Sequence, residues 1–286
     1  MKVDERPIVF DCAGSRLLGI LHKPQALSSR GVIVVVGGPQ YRVGSHRQFL
    51  LLARYLAERG VAVFRFDYRG MGDSDGPGVT FESVGPDIAA AIDTFLREAP
   101  EVREIVLWGL CDAASAALMY AHDDPRIWGI VLVNPWVRSD TSIAKTHLKH
   151  YYLKRIFSAE FWRSLFSGRI DFADSVRNFL QTIGYAIFRK SRQTAGNEKT
   201  DLDSRPFLTR MSIGFEKYRG QVLLITSGDD YTAAEFKQVV SESRRWRELT
   251  RRDTVRWHEL EDANHTFSRD EWRNTVSAWT EEWLRS

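Results

Sequence analysis

The chain has 286 residues, of which 43% are hydrophobic, 27% charged and 12% aromatic. This composition supplies enough apolar side chains for a sizeable core and excludes a chain that is mostly disordered. Forty Lys and Arg residues against 37 Asp and Glu residues leave a net charge of +3, which is too small to indicate a nucleic-acid partner.

The cysteines and the start of the chain bear on location. Cys12 and Cys111 allow at most one disulfide, so a secreted domain stabilised by several disulfides is not expected. No apolar run approaches the roughly 20 residues of a spanning helix. The charged N-terminus also lacks the apolar region of a secretory signal. These features predict a soluble, cytoplasmic protein without stable membrane insertion.

The first predicted elements are strands. Residues 8–10 and 17–21 are β-type runs separated by a turn segment with Gly14, which predicts an opening hairpin. Residues 32–36 are apolar and β-branched without alternation. A run of this kind is typical of a strand that is buried on both faces of a parallel sheet.

Helices and strands then alternate along the chain. Ser45 and Gln48 fit a capping box for a helix that Gly60 ends. Further strands are predicted at residues 61–66, 105–108, 130–133, 222–225 and 255–260, and further helices near residues 88–95, 112–121, 233–249 and 272–283. The alternation predicts an α/β fold with a doubly wound, mostly parallel sheet.

Residues 138–218 interrupt this alternation. They show helical patterns, many aromatic and basic side chains and no obvious strand, with a polar segment at residues 191–203. We interpret them as a helical lid inserted between a first part of the core, residues 1–137, and a second part, residues 219–286. An aromatic and basic lid favours a substrate with an apolar acyl chain or a negative group.

The sequence WGLCDA, which begins at Trp108, is the most specific chemical motif. It lies where a predicted strand turns directly into a helix of small residues, the setting of a G-x-S-x-G nucleophile turn. Cys111 takes the serine position and Ala113 that of the last glycine. A thiol at a helix N-terminus favours its thiolate form, so cysteine is a sensible nucleophile there. The alternative is a small buried cysteine in an inactive turn.

An acid and a base follow in the order that this fold uses. Asp229 and Asp230 come after the predicted strand at residues 222–225, and His265 comes after the last predicted strand. His265 would accept or share the thiol proton, and the aspartate would orient its ring. Asp230 is favoured over Asp229 because of its position relative to the strand end, although Gly-Asp-Asp is also ordinary turn sequence.

An oxyanion hole on this fold takes one backbone N–H from the residue after the nucleophile, here Asp112. The second N–H comes from the loop after the early strand. Pro39 has none, so Gly38 or Gln40 must supply it. The loop of residues 67–74 is expected to be structural, and Ser115 is expected to pack inside the helix rather than act as a nucleophile.

Motifs for cofactors are absent or weak. The chain has no GxxxxGK[ST], no GxGxxG after a strand and no HExxH, so we expect no cofactor. His147 and His150 are three residues apart, but a metal site is not expected because no carboxylate lies beside them. The basic segment of residues 145–155 is interpreted as a solvated helix face, with an anionic surface or substrate as the alternative.

The chain resembles the α/β-hydrolase superfamily over almost its whole length outside residues 138–218. More narrowly, VGGPQYRVGSHRQF from Val36, FDYRGMGDS from Phe66 and WGLCDAASA from Trp108 resemble the hydrolases encoded beside exosortase A systems in Gram-negative bacteria. This resemblance implies a link to exopolysaccharide biosynthesis but supplies no substrate. The cysteine is also similar to that of dienelactone hydrolases, which lack such an insertion.

Together these features predict a cofactor-independent hydrolase of esters or thioesters, with a small-molecule acyl substrate and a Cys111–His265–Asp230 triad. Acyl transfer to a sugar hydroxyl would use the same residues. A non-catalytic binding or scaffold protein on the same fold is the alternative from another class, since fold alone does not establish activity. The sequence leaves the oligomeric state open.

Overall fold

The computed structural model describes residues 3–38, 40–137 and 206–286. Their strands and helices are numbered here in chain order. The strands are β1 (Val3–Cys12), β2 (Ser15–Pro24), β3 (Arg30–Val35), β4 (Ala62–Phe66), β5 (Glu104–Leu110), β6 (Ile127–Val133), β7 (Gln221–Asp229) and β8 (Val255–Asn264). The α-helices are α1 (Gln48–Ala57), α2 (Gly85–Glu98), α3 (Asp112–Tyr120), α4 (Phe207–Lys217), α5 (Tyr231–Glu242), α6 (Arg244–Thr250) and α7 (Asp270–Arg285).

All eight strands form one sheet in the order β1-β2-β4-β3-β5-β6-β7-β8. β1 and β2 form the expected antiparallel hairpin, and β2 pairs antiparallel with β4. Every other neighbouring pair is parallel. The predicted α/β fold with a mostly parallel sheet is therefore confirmed. The carboxyl ends of the parallel strands share one edge of the sheet, where ligands of this architecture bind.

The central strands are apolar because helices cover both faces of the sheet. Residues 32–35 of β3 are completely buried. Phe64 on β4 has its ring centroid 5.7 Å from that of Phe10 and 6.0 Å from that of Phe95 on α2. On the far side of the sheet, Trp283 of α7 packs against Gly129 of β6, where an added Cβ would lie 2.5 Å from the indole. The predicted apolar stripe of the last helix therefore faces the sheet.

Two predicted helix boundaries are wrong. Ser45 does not cap α1, because residues Ser45–Arg47 form a separate 3₁₀ turn and the residue before α1 is Arg47, in a left-handed conformation without a side-chain cap. The predicted helix at residues 233–249 is two helices. Ser243 is extended between α5 and α6, and its Oγ accepts a hydrogen bond from the N–H of Trp246.

Most of the predicted insertion, residues 138–218, lies outside the described residues. Its described C-terminal part contains α4, which packs against α3: Gly214 is so close that an added Cβ would overlap the carbonyl oxygen of Leu118. Residues 1–137 and 205–286 cluster as one compact unit. None of the described helices combines the length and hydropathy that crossing a membrane requires.

Candidate active site

Cys111 occupies the sharp turn between β5 and α3, with φ 63° and ψ −125°. This region is strained for a residue with a Cβ and persists only where the surroundings enforce it. Here the Cys111 N–H donates to the carbonyl of Val133 at 2.9 Å, and the Cys111 carbonyl accepts from the N–H of Trp136 at 3.1 Å. The backbone around β6 therefore holds the bend, and the thiol is free and partly exposed.

Gly109 allows the strand and the helix to approach each other at this turn. A Cβ at Gly109 would lie 2.6 Å from the carbonyl group of Ala113 and 2.7 Å from the nitrogen of Ala114. These are backbone atoms that cannot move aside cheaply. The first glycine of the predicted pattern is therefore required by packing, whereas a fully buried alanine occupies the position of the last glycine.

His265 and Asp230 form a hydrogen-bonded pair at the carboxyl edge of the sheet. The Nδ1 atom of His265 lies 2.9 Å from Oδ2 of Asp230, and the two side chains are 31% and 7% exposed. Asp230 also caps α5, because its carboxylate accepts the N–H groups of Thr232 and Ala233. Asp229, the alternative acid, is exposed at the end of β7. The structure thus brings Asp230, and not Asp229, against the imidazole.

Several interactions determine the charge of His265. Burial opposes the imidazolium, but the hydrogen-bonding and charge interactions with Asp230 and Cys111 outweigh it and raise the pKa of His265 to about 10. The interaction with Cys111 requires the sulfur to be near the ring. The arrangement therefore favours the protonated form of the His265 imidazole in the folded protein.

Asn134 is a site residue that the sequence analysis missed. It follows β6, has φ 45° and is completely buried. Its side-chain amide donates to Oγ of Ser227 at 2.8 Å and to the carbonyl of His265 at 3.1 Å, and its Oδ1 accepts the N–H of Ser227 at 2.9 Å. Asn134 therefore ties the backbone of His265 to the end of β7.

The candidate oxyanion residues lie around the loop after β3. Gly38 has φ 59° and open space at its Cβ position. The side chain of Gln40 is directed into its own loop, where Oε1 accepts the N–H of Ser45 at 3.2 Å. The carboxyl group of Asp112 packs against Gly37, since a Cβ there would overlap Oδ1. Gly38 and Asp112 are thus close together, while Pro39 lies outside the described residues.

A buried ion pair joins the loop after β3 to the loop after β4. Asp67 is completely buried, accepts the N–H of Arg42 at 2.6 Å and pairs with its guanidinium. It also accepts the N–H of Asp73, and its carbonyl accepts the hydroxyl of Ser74 at 2.6 Å. The loop of residues 67–74 is therefore the tightly hydrogen-bonded structural element that its glycines and charges indicated.

Ser115 is not positioned as a second nucleophile. Its side chain is completely buried, and its Oγ donates to the carbonyl of Trp136 at 2.6 Å. Within the described ranges no three His, Cys, Asp or Glu side chains are grouped as metal ligands would be. His147 and His150 and the segments 145–155 and 191–203 lie outside these ranges.

Solved structures with the same architecture include several hydrolases. An esterase from Pyrococcus furiosus superposes with a TM-score of 0.65 at 15% identity, covering 99% of this chain and 90% of that one. Est1E from Butyrivibrio proteoclasticus, solved with ferulic acid, gives 0.61 at 17% identity over 97% of each chain. An α/β serine hydrolase homologue from Coxiella burnetii gives 0.56 at 16% identity, covering 98% of this chain and 97% of that one.

These similarities show the shared fold. No curated protein matches the chain significantly. The family model described as the alpha/beta hydrolase family matches residues 32–278, which include the strained turn at Cys111, the Asp230–His265 pair and most of the sheet. The chain belongs to the alpha/beta hydrolase family.

Proposed function

We propose that the protein is a thiol hydrolase of ester or thioester bonds, in which Cys111 is the nucleophile, His265 the general acid and base, and Asp230 the residue that orients the imidazole. One observation carries this proposal. A free thiol occupies a strained strand-to-helix turn and interacts with an imidazole that is hydrogen-bonded to a buried carboxylate. This is the order of groups that activates a nucleophile.

Acylation begins with the thiolate of Cys111 and the imidazolium of His265. The sulfur forms a bond to the carbonyl carbon, and the electron pair of the C=O bond moves to the oxygen, where backbone N–H groups stabilise the charge. The tetrahedral intermediate then collapses. The bond to the leaving alcohol or thiol breaks, and the proton of His265 moves to that leaving group.

Deacylation reverses the role of the imidazole. Neutral His265 takes a proton from a water molecule as its oxygen bonds to the acyl carbon. When the second tetrahedral intermediate collapses, the C–S bond breaks and the carboxylic acid leaves. The thiolate of Cys111 and the imidazolium are restored. Asp230 remains ionised throughout and stabilises each charged form of the ring.

The sequence supports a substrate class and a biological setting for this proposal. The aromatic and basic composition of residues 138–218 favours a small-molecule acyl substrate with an apolar chain or a negative group. The motif resemblance supports a link to exopolysaccharide biosynthesis. Cys12 and Cys111 are both free thiols, which suits a reducing cytoplasm.

Alkylation with iodoacetamide tests the nucleophile. Cys111 is partly exposed beside His265, whereas Cys12 is buried and burial raises the pKa of its thiol. We expect the adduct on Cys111 alone at neutral pH and substoichiometric reagent, with parallel loss of turnover on p-nitrophenyl acetate and a phenyl thioester. Cys12 is the internal control, because both thiols meet the same reagent in one chain.

Replacing the imidazole tests the proposed pairing of His265 with Cys111. His265→Ala should lower the alkylation rate of Cys111 by about tenfold or more near neutral pH, because the thiolate loses its counter-ion. His258→Ala, on the strand that leads to His265, is the matched control and should leave this rate unchanged. An unchanged rate in His265→Ala would remove His265 from the mechanism.

Product analysis separates the alternatives. Release of the free acid indicates hydrolysis, and an ester formed on an added sugar indicates acyl transfer through the same acyl-enzyme. An inert Cys111 with no turnover on any ester or thioester would overturn the proposal in favour of a non-catalytic binding protein on this fold.

A further inference from the structure

Arg65 places a charged side chain inside the sheet. It lies on β4 between Phe64 and Phe66, and it is 3% exposed. Burial lowers the pKa of Arg65 to about 10, which still leaves the guanidinium charged at neutral pH. Taking an ionised group out of water is costly unless other interactions offset the loss. The position of Arg65 therefore calls for an explanation.

Two hydrogen bonds hold the guanidinium of Arg65. Its Nε atom donates to Nε2 of His22 on β2 at 3.0 Å, and its Nη1 atom donates to the main-chain carbonyl of Arg42 at 2.5 Å. His22 is completely buried, and burial together with the nearby charge of Arg65 lowers the pKa of His22 to about 4. The imidazole is therefore uncharged at neutral pH. Arg65 thus joins the interior of the sheet to the loop after β3 through two uncharged acceptors.

Arg65 is a firm support for this loop, because its strand is paired on both sides. Its Cα lies opposite Ile20 of β2 and Val34 of β3. The supported residue, Arg42, is also held through its N–H group, which donates to the buried carboxylate of Asp67 at 2.6 Å. Both main-chain polar groups of Arg42 therefore have partners on β4 or directly after it.

The same loop borders the turn of the nucleophile at its other end. A Cβ at Gly37 would lie 2.6 Å from the carbonyl oxygen of Leu110 and 2.9 Å from the nitrogen of Ala113, close to Cys111 on either side. The loop after β3 therefore extends from the turn at Cys111 to the contacts with β4. Gly38, a predicted oxyanion donor, follows Gly37, so the position of its N–H group depends on how this loop is held.

We propose that Arg65 is a positioning residue for the reaction at Cys111: by holding the main-chain carbonyl of Arg42, it fixes the loop that supplies the second N–H group of the oxyanion hole. The inference rests on the function proposed above. Arg65 acts through Arg42 and not on the reacting atoms. Its buried charge is explained by its shape, since a long, forked donor can hold His22 and Arg42 at the same time.

Two reactions at the same sulfur distinguish positioning of the oxyanion hole from a general change in reactivity. Acylation by p-nitrophenyl acetate passes through an oxyanion, whereas alkylation by iodoacetamide displaces iodide at a saturated carbon and forms none. Any effect of Arg65 on the thiolate enters both rates and cancels in their ratio. The measured quantity is the ratio of the p-nitrophenolate burst rate to the alkylation rate of Cys111.

Two variants of Arg65 separate its two contacts. In Arg65→Gln the amide nitrogen takes the place of Nε, so the variant keeps the hydrogen bond to His22 and loses the one to Arg42. In Arg65→Lys the ammonium takes the place of Cζ, so it reaches the carbonyl of Arg42 and loses the bond to His22. We expect the ratio to fall by about tenfold or more in Arg65→Gln, since loss of one oxyanion donor costs roughly 10²–10³ in rate. It should fall much less in Arg65→Lys.

Arg30→Gln is the matched control. Arg30 also donates to a main-chain carbonyl, that of Leu284 at 2.7 Å, but it begins β3, at the opposite edge of the sheet from Cys111. This variant should be less stable than wild type in urea unfolding and should keep the wild-type ratio. A purely structural role for Arg65 predicts the same pattern for Arg65→Gln, so the ratio distinguishes the two roles.

The outcomes also separate this inference from the proposed function. If iodoacetamide does not label Cys111 in the wild-type protein, the proposed function fails and this inference fails with it. If labelling and the burst both occur, but the ratio in Arg65→Gln equals that of wild type or falls equally in Arg65→Lys, positioning by Arg65 is overturned while the proposed function stands. Should Arg65→Gln fail to fold, Arg65→Met decides, because it removes both contacts without burying a polar group. An unchanged ratio in that variant also overturns the inference.

Discussion

The side-chain amide of Asn134 donates a hydrogen bond to the main-chain carbonyl of His265, 131 positions later in the chain, at 3.1 Å. Two further hydrogen bonds join the same side chain to Ser227. Three strand ends, those of β6, β7 and β8, therefore meet at one buried amide. Asn134 thus positions the loop that carries His265 through the main chain of that loop rather than through the imidazole.

Asn134→Ala should destabilise the protein by about 2–3 kcal/mol, because it leaves the Ser227 N–H without its acceptor in a buried site. The alkylation rate of Cys111 should fall as well, since the imidazole loses its fixed position. Urea unfolding and iodoacetamide kinetics measure the two effects. Asn274→Ala, at an exposed position on α7, is the control. A normal alkylation rate in Asn134→Ala would show that its role is structural only.

Asp230→Asn removes the ion pair but keeps a helix cap, because the single amide oxygen of asparagine can still accept an N–H group of the first turn of α5. The pKa of His265 is about 10 in the folded protein and about 6.5 when unfolded, so the folded state holds the proton more tightly. This stabilisation is complete below about pH 6.5 and is lost as the pH rises through about 10.

The free energy of unfolding should therefore differ between wild type and Asp230→Asn by about 1–3 kcal/mol at pH 6.5 and by much less at pH 10. Urea denaturation at the two pH values checks this. A difference that stays constant, or that grows with pH, would contradict a protonated His265 in the folded protein.

At the bend of Cys111 we expect glycine to be at least as stabilising as alanine, the reverse of their usual order. Glycine destabilises ordinary positions by about 0.5–1 kcal/mol relative to alanine, but a residue with φ 63° is strained by its Cβ. We expect Cys111→Gly to be at least as stable as Cys111→Ala in thermal or urea unfolding. The control is Ala90→Gly within α2, which should lower the free energy of unfolding by about 1 kcal/mol relative to wild type.

The closeness of β5 and α3 gives a second backbone test. Gly109→Ala should destabilise the protein by about 3 kcal/mol, because its Cβ would press on the backbone of Ala113. At Gly78 an added Cβ would meet open space, and φ is not positive. Gly78→Ala should therefore change the free energy of unfolding by less than about 0.5 kcal/mol. Similar losses of unfolding free energy in Gly109→Ala and Gly78→Ala would mean that the turn relaxes easily around the added Cβ.

The sequence predicts the sheet well because its signals are local. The hairpin and the buried run at residues 32–36 each contain their own pattern, and strand–helix alternation restricts the topology. The break at Ser243 was missed because apolar periodicity continues through it. Ser45 was interpreted as a cap because its spacing to Gln48 fits, but Gln40 takes its N–H instead.

The candidate site was predictable only in part. Cys111, Asp230 and His265 follow strand ends in a set order, which a sequence can show. Asn134 has no such signal, since Ser227 and His265 become its neighbours only after the strands align. The resting place of the Asp112 carboxyl group depends on the path of the loop at Gly37, which no residue pattern specifies.

The hydrogen bonds that shape the turn at Cys111 all involve main-chain atoms, and none uses the sulfur. Exchanging sulfur for oxygen would leave every one of them in place. The main chain therefore holds the same bend around either a cysteine or a serine at position 111. Cys111→Ser, a single nucleotide change, replaces the element at the tip of the bend and keeps all of these hydrogen bonds.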